Sequence, residues 1–242
     1  MATRIWKRPS HLKFPKIHLK FSAADITGGK ELVEYNIIDI PENRYEEACN
    51  FMVKHFIPYE PKLVSRNASN DIIVAEDYYN RYMYGIKQNV SVACVKTGSE
   101  NFIAVNILEV HGCNDSEISF KPQSKTCIDI MEAVEYIENE ADLFNRHMVD
   151  YYLSGTGLAI HPQYRGRGFA TEIIKARTSI LQFYDLKLTS TGFSSVAAQK
   201  AAEKAGHFID YTISYEKLAT MSQKWNFLGT NTKNYIQMST II

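Results

Sequence analysis

Apolar positions along the chain switch repeatedly between strand-like runs and helical spacing. Ile17 to Phe21 reads as a short strand able to dock on the body, and Glu34 to Ile40 (EYNIIDI) as a second. After Pro41, Asn43 is a candidate cap for a helix from about Arg44 to Phe56, with Ala48, Phe51, Met52 and His55/Phe56 at helical spacing. Pro58 and Pro61 then flank a loop, IPYEPKL. Asp71 to Lys87 predicts a tyrosine-rich helix. Val90 to Lys96 and Asn101 to Val110 predict strands joined by the turn Thr97–Glu100, a hairpin signal. From Ser124, the positions Cys127, Met131, Val134, Ile137, Ala141, Phe144 and Met148 step by three or four and predict one helix of about 22 residues. Tyr151 to Ile160 is apolar and β-prone but broken by Gly155 and Gly157, which predicts a bulged strand. A helix over Gly168–Phe183, a strand over Leu186–Ser190, a helix over Ser194–Ala205 and closing strands over Ile209–Tyr215 and Tyr235–Thr240 complete the pattern.

This order predicts one mixed α/β domain over residues 31–242, with no repeat or low-complexity linker to divide it. Residues 1–30 read as an extension, basic and punctuated by Pro9, Pro15, Gly28 and Gly29. The composition is that of an ordinary globular protein, 45% apolar and 22% charged. Acidic and basic residues balance at 27 each, which argues against a nucleic-acid coat or a polybasic membrane binder. Cys49, Cys94, Cys113 and Cys127 are scattered and form no CxxC pair, so neither a metal site nor a disulfide framework is expected. Reduced thiols, no secretory signal within Met1–Ser10 and no long apolar run make a cytoplasmic protein the expectation. A monomer is expected.

The chemistry concentrates at Leu158-Ala159-Ile160-His161-Pro162-Gln163-Tyr164-Arg165-Gly166-Arg167-Gly168-Phe169-Ala170. A strand, a glycine loop and a helix N-terminus together aim backbone N–H groups at one point, which suits a phosphate or pyrophosphate. A Walker loop requires a Gly-Lys-Ser/Thr ending that is absent, and GRGFAT lacks the third glycine of a dinucleotide fingerprint. An RNA-binding arginine–glycine repeat would need more than one copy. A plain tight turn before a helix is the remaining alternative.

Arg165-x-x-Gly168-x-Ala170, after a strand ending in His-Pro, resembles the acyl-CoA pyrophosphate loop of the GNAT N-acetyltransferase superfamily. The order of elements agrees, and EKAGHF (Glu203 to Phe208) resembles that superfamily's usual ending. HFIPYEP (His55 to Pro61) and the final KNYIQM are similar to insect arylalkylamine N-acetyltransferases. The resemblance implies a central, mixed, twisted sheet of about seven strands flanked by helices. Two parallel strands, Tyr152–Ile160 and Leu186–Ser190, would splay to form the acyl-CoA cleft. It implies pantetheine pairing at Leu158 and Ile160, and pyrophosphate on the N–H groups from Arg165 through Gly166, Arg167 and Gly168 to Ala170. Arg165 or Arg167 would add charge, unless they are surface side chains.

The same resemblance places a general base at Glu60, in a loop expected not to be helical. The tyrosine that many members use as general acid falls on Ala202. Ser194 is a candidate to orient or protonate the leaving thiolate, and Ser195 to touch pantetheine, with helix capping as the alternative for both. His207 reads as a core histidine or an acceptor-site wall. Tyr78, Tyr79, Tyr82 and Tyr84 could wall an amine pocket, though their spacing spans both helix faces. Trp6 and Trp225 have no assigned role.

The implied function is acetyl-CoA-dependent N-acetylation of small primary amines, most closely arylalkylamines such as dopamine, tyramine, octopamine or serotonin. Direct transfer in a ternary complex and no metal are implied. Agmatine or a polyamine would instead call on carboxylates such as Asp71, Glu76 and Asp77, and a longer acyl donor is a further alternative. A non-catalytic CoA-binding protein is the reading that Ala202 keeps open. The acceptor-specifying loops are expected at residues 58–70 and 111–124.

Overall fold

The computed structural model describes residues 6–26, 31–115 and 120–242; Gly28, Gly29 and part of the expected 111–124 loop lie outside them. Eight strands form one sheet in the order β1-β2-β3-β4-β5-β6-β8-β7. They are β1 (Ile17–Ala24), β2 (Leu32–Asp39), β3 (Val92–Lys96), β4 (Phe102–Gly112), β5 (Tyr151–Ile160), β6 (Leu188–Phe193), β7 (Phe208–Ser214) and β8 (Asn234–Ile241). The count exceeds the expected seven because the strand near Ile17 runs on to Ala24 and joins the sheet edge against β2. Every pairing is antiparallel except β5 with β6.

Period-two alternation sends successive side chains to opposite faces. Ala93, Val95, Val105 and Ile107 meet α1 (Tyr45–His55) and α3 (Ile72–Ile86) through Ala48, Cys49, Met52, Tyr82 and Ile86. Val92, Cys94, Ala104 and Leu108 meet α6 (Phe169–Tyr184) through Phe169, Ile173, Ala176 and Ile180. The helix α7 (Val196–Lys204) packs on α6 through Ala201, Ala202 and Ile174.

Two local expectations change. The single helix from Ser124 is two helices, α4 (Lys125–Ala141) and α5 (Leu143–His147), because Asp142 takes a left-handed conformation with φ 47°. The segment around Glu60 is more helical than a loop. A 3-10 turn spans Ile57–Tyr59 and α2 spans Pro61–Val64, each with proline in its first turn, where the missing N–H costs nothing. Glu60 itself stays extended between them, at φ −70° and ψ 116°. A further short helix, α8 (Tyr215–Met221), follows β7.

Candidate active site

The site begins where the parallel strands part. β5 and β6 are in register only at Leu153–Thr189 and Ser154–Ser190. Beyond that pair β5 runs on to Ile160 beside β4, while β6 runs on beside β8. The register of β5 against β4 slips at Thr156, between Gly155 and Gly157, so the bulge falls at the mouth of the split. Both glycines are close approaches. A Cβ on Gly155 would collide with Arg177 from α6, and one on Gly157 would lie 2.8 Å from Met52 Cε of α1.

A cavity of about 1300 Å³ runs through this split. That exceeds the usual range for one small ligand. Leu158, Ile160, Arg165, Gly166, Gly168, Ala170, Ser194, Ser195 and Glu60 all line it. At one end lies the glycine loop. Gly166 and Gly168 adopt φ of 73° and 88°, and open space surrounds both. Gly168 is the N-cap of α6 and no side chain caps that terminus, so its first amides are available to an anion. These features fit a pyrophosphate.

The loop arginines have other partners. Arg165 donates from Nε to Ile160 O (3.0 Å) and from Nη2 to His55 O (2.9 Å), and its guanidinium stacks on Tyr59 at 3.8 Å. It thereby ties the end of α1 to the end of β5. Arg167 is exposed and donates to Asp25 O at 3.3 Å.

Glu60 is buried in the wall of the same cavity, at 4% exposure. Ser194 Oγ donates to its Oε2 at 2.9 Å, and Lys62 Nζ lies 2.6 Å from its Oε1. Lys62 is itself buried and sits 4.9 Å over the ring of Tyr235. Burial pushes the phenols of Tyr78, Tyr82, Tyr215 and Tyr235 upward, with the Glu60 charge adding to it, so all four are neutral, and Tyr78 and Tyr235 line the cavity. Tyr215 also donates to Ser194 O at 3.2 Å and so fixes the serine that holds Glu60. Ser195 caps α7 through Ala198 N at 3.2 Å, the capping alternative, while Ser194 does not cap.

Of the four clustered tyrosines, Tyr78 and Tyr84 line the cavity; Tyr82 is fully buried beside Phe56 and Tyr78. Asp71 caps α3, Asp77 accepts from Gln123 N and Ser124 N, and Glu76 is exposed. Of these three, Asp77 lines the cavity, and Glu109 and Glu138 line it as well. Glu109 pairs with Arg81 at 2.6 Å and meets Thr156 Oγ1, and burial raises Glu138 from its ordinary value. Cys127 also lines the cavity, but burial pushes its thiol up to about 12. His207 is buried in the core with Nδ1 on Thr240 Oγ1, outside the cavity lining. Trp6 packs on Tyr184 and Trp225 on Tyr136.

Beneath the split lies Arg177, 1% exposed. It donates from Nε and Nη2 to Asn106 Oδ1 (3.3 and 3.0 Å) and from Nη1 to Thr191 Oγ1 (2.6 Å). Burial lowers this guanidinium to about 10, so it remains charged at neutral pH. Lys62, Glu109, Glu138 and Arg177 were not assigned from sequence. Lys62 alone carried a signal, its place beside Glu60 in the EPK triplet.

No family model and no curated protein matches the chain. Among solved structures it is similar to a protein of the yellow fever mosquito, Aedes aegypti, provisionally named arylalkylamine N-acetyltransferase 7. The two are 33% identical over 98% of this chain and 99% of that one, with a TM-score of 0.93. A polyamine N-acetyltransferase of Drosophila melanogaster, described as forming N-acetylagmatine, shares the fold at 14% identity over 86% of this chain and all of that one, TM-score 0.74. A mosquito arylalkylamine N-acetyltransferase-like 5b does so at 18% identity over 86% and 100%, TM-score 0.73.

Proposed function

The chain belongs to the GNAT-fold N-acetyltransferases, in the group of the insect arylalkylamine N-acetyltransferases, and from that premise we propose that it acetylates small aromatic primary amines with Glu60 as general base. It is an acetyl-CoA-dependent amine acetyltransferase. The observation that carries the finer reading is the Glu60 carboxylate, buried among aromatic walls and held by Ser194, in the same cavity as the glycine loop.

A primary amine with a pKa near ~10 is mostly protonated at neutral pH, and only its neutral form attacks a carbonyl. Glu60 receives that proton. Ser194, itself fixed by Tyr215, holds Oε2, and the incoming nitrogen takes the place of Lys62 at Oε1. Gly166, Gly168 and the first amides of α6 hold the pyrophosphate, and β5 at Leu158 and Ile160, paired with β4 but past its last pair with β6, lies alongside the pantetheine arm. Acetyl-CoA supplies the activated acyl group. Cys127, though it lines the cavity, is a protonated thiol, which favours direct transfer over a cysteine-bound acyl group. Ala202 offers no proton to the leaving sulfur; once Glu60 holds the amine proton, Ser194 can pass its hydroxyl proton to the thiolate and take that one from Glu60 in return.

Glu109 and Glu138 favour a second reading, an acceptor with a cationic tail such as agmatine or a polyamine. Thiol release from acetyl-CoA across dopamine, tyramine, serotonin, agmatine and spermidine separates the two. Turnover confined to the aromatic amines supports the first. A preference for agmatine or spermidine moves the specificity to the acidic wall. No turnover with any amine, together with measurable CoA binding, overturns both.

A further inference from the structure

We infer that Arg177 is the positioning residue that holds the β5–β6 cleft open for the pantetheine arm. The inference rests on the acetyl-CoA reading above. Where two parallel strands part, the backbone groups at the fork lose their ladder partners, and a buried unpaired amide or carbonyl is costly. Two such groups at this fork are met by side chains instead. Gly155 N donates to Thr191 Oγ1 at 3.0 Å, and Gly157 O accepts from Asn106 Nδ2 at 2.8 Å. Both of those side chains are themselves held by Arg177. One guanidinium therefore orients the partner of the amide before the Thr156 bulge and the partner of the carbonyl after it.

Burial makes this arrangement unlike ordinary packing. A cation removed from water carries a desolvation penalty, and an apolar side chain of similar volume is often as stable or more so. Hydrogen bonds to Asn106 and Thr191 offset part of that penalty but bring no counter-charge. The residue also excludes a side chain at position 155, since a Cβ there would collide with Nη2. Arg177, Gly155, Thr156, Gly157 and Thr191 all line the cavity. A second N–H remains on each of Nη1 and Nη2. The fork is thus wedged by a rigid planar cation that sits against the path of the arm.

Calorimetric titration of CoA itself, into wild type, Arg177→Met, Arg177→Lys and Thr191→Val, tests this without requiring turnover. Arg177→Met should weaken CoA at least about tenfold, the worth of one charge-assisted hydrogen bond, while its urea midpoint changes little. Arg177→Lys should fall between. Hydrogen exchange at residues 154–158 should quicken in Arg177→Met as the fork loosens. Wild-type CoA affinity in Arg177→Met, or a loss that merely tracks its unfolded fraction, overturns the inference. Should Arg177→Met not fold, Thr191→Val decides: it keeps the arginine but frees Gly155 N, and unchanged affinity and exchange there overturn the inference. A wild-type protein that binds no CoA would overturn the cosubstrate reading itself, and this inference with it.

Discussion

Lys62 Nζ lies 2.6 Å from Glu60 Oε1, and both side chains are less than a tenth exposed. A primary ammonium thus already rests on the carboxylate assigned as base, with an aromatic ring beneath it at 4.9 Å. Those are the contacts an amine acceptor would seek. An incoming ammonium competes with Lys62 for Glu60, and the pair offsets part of the cost of burying a carboxylate before substrate arrives.

Glu60→Gln keeps the shape of the site and the Ser194 contact but cannot accept a proton. Turnover at saturating amine should fall by about 10²–10⁴, the usual contribution of a positioned general base. CoA affinity should be unchanged, because the Glu60 carboxylate is held by Ser194 and Lys62, neither of them in the glycine loop. Wild-type turnover across pH 6 to 9 would remove Glu60 from the mechanism.

Removing Lys62 should act on the acceptor. Lys62→Met leaves Glu60 buried without its counter-charge, and breaking a buried pair costs about 3–5 kcal/mol. The substrate ammonium can restore that charge. The variant should melt earlier than wild type without amine, gain more in melting temperature from added amine, and show a lower KM for it. Equal amine-induced shifts in the two proteins would mean that Lys62 does not share the acceptor's position.

What could be read from sequence follows the range of the interactions concerned. Strands and helices carry their period locally, so nearly all were legible, and the glycine loop is contiguous from Arg165 to Ala170. Asp142 broke a helical pattern that continued through Phe144, because a single left-handed residue leaves apolar spacing unchanged. Glu60 was singled out through the likeness of HFIPYEP to insect arylalkylamine N-acetyltransferases, since a glutamate between two prolines reads by itself as an ordinary loop residue. Its contact with Ser194 was not legible: the two are 134 positions apart, and only the fold brings them within 2.9 Å. Arg177 falls at helical spacing with Ile173, Ile174, Ile180 and Leu181, a pattern that by itself signals only one side of an amphipathic helix. Its role depends on Asn106, 71 positions earlier, and on where two strands part.

The neighbouring serines should separate in their effects. Ser195→Ala removes the cap of α7 and should cost about 1 kcal/mol of stability with little change in turnover of the folded enzyme. Ser194→Ala removes the bond to Glu60 Oε2 and should lower turnover by roughly tenfold, the worth of a hydrogen bond to a charged group. Urea titration and steady-state kinetics on both variants check the pair. Loss of turnover in Ser195→Ala with full activity in Ser194→Ala would reverse the assignment.

His207 gives the fold an acid-sensitive point. It is 7% exposed, its Nδ1 meets Thr240 Oγ1 at 2.9 Å, and Nε2 has no partner among the described residues. Burial, with the nearby Arg177 charge adding, pushes the imidazole down to about 3 from its ordinary 6.5. Between those values the folded protein keeps His207 neutral while the unfolded chain protonates it. The unfolded state then binds more protons, so stability falls as pH drops below 6.5, by up to about 1.4 kcal/mol per pH unit, and is untouched above it. His207→Phe cannot titrate. Its stability relative to wild type should therefore rise steadily from pH 6.5 toward pH 4, whatever the offset between the two proteins at pH 7.5. Urea midpoints at pH 7.5, 6, 5 and 4 measure that difference. Parallel pH curves for the two proteins would show that His207 protonates in the folded state as readily as in the unfolded one.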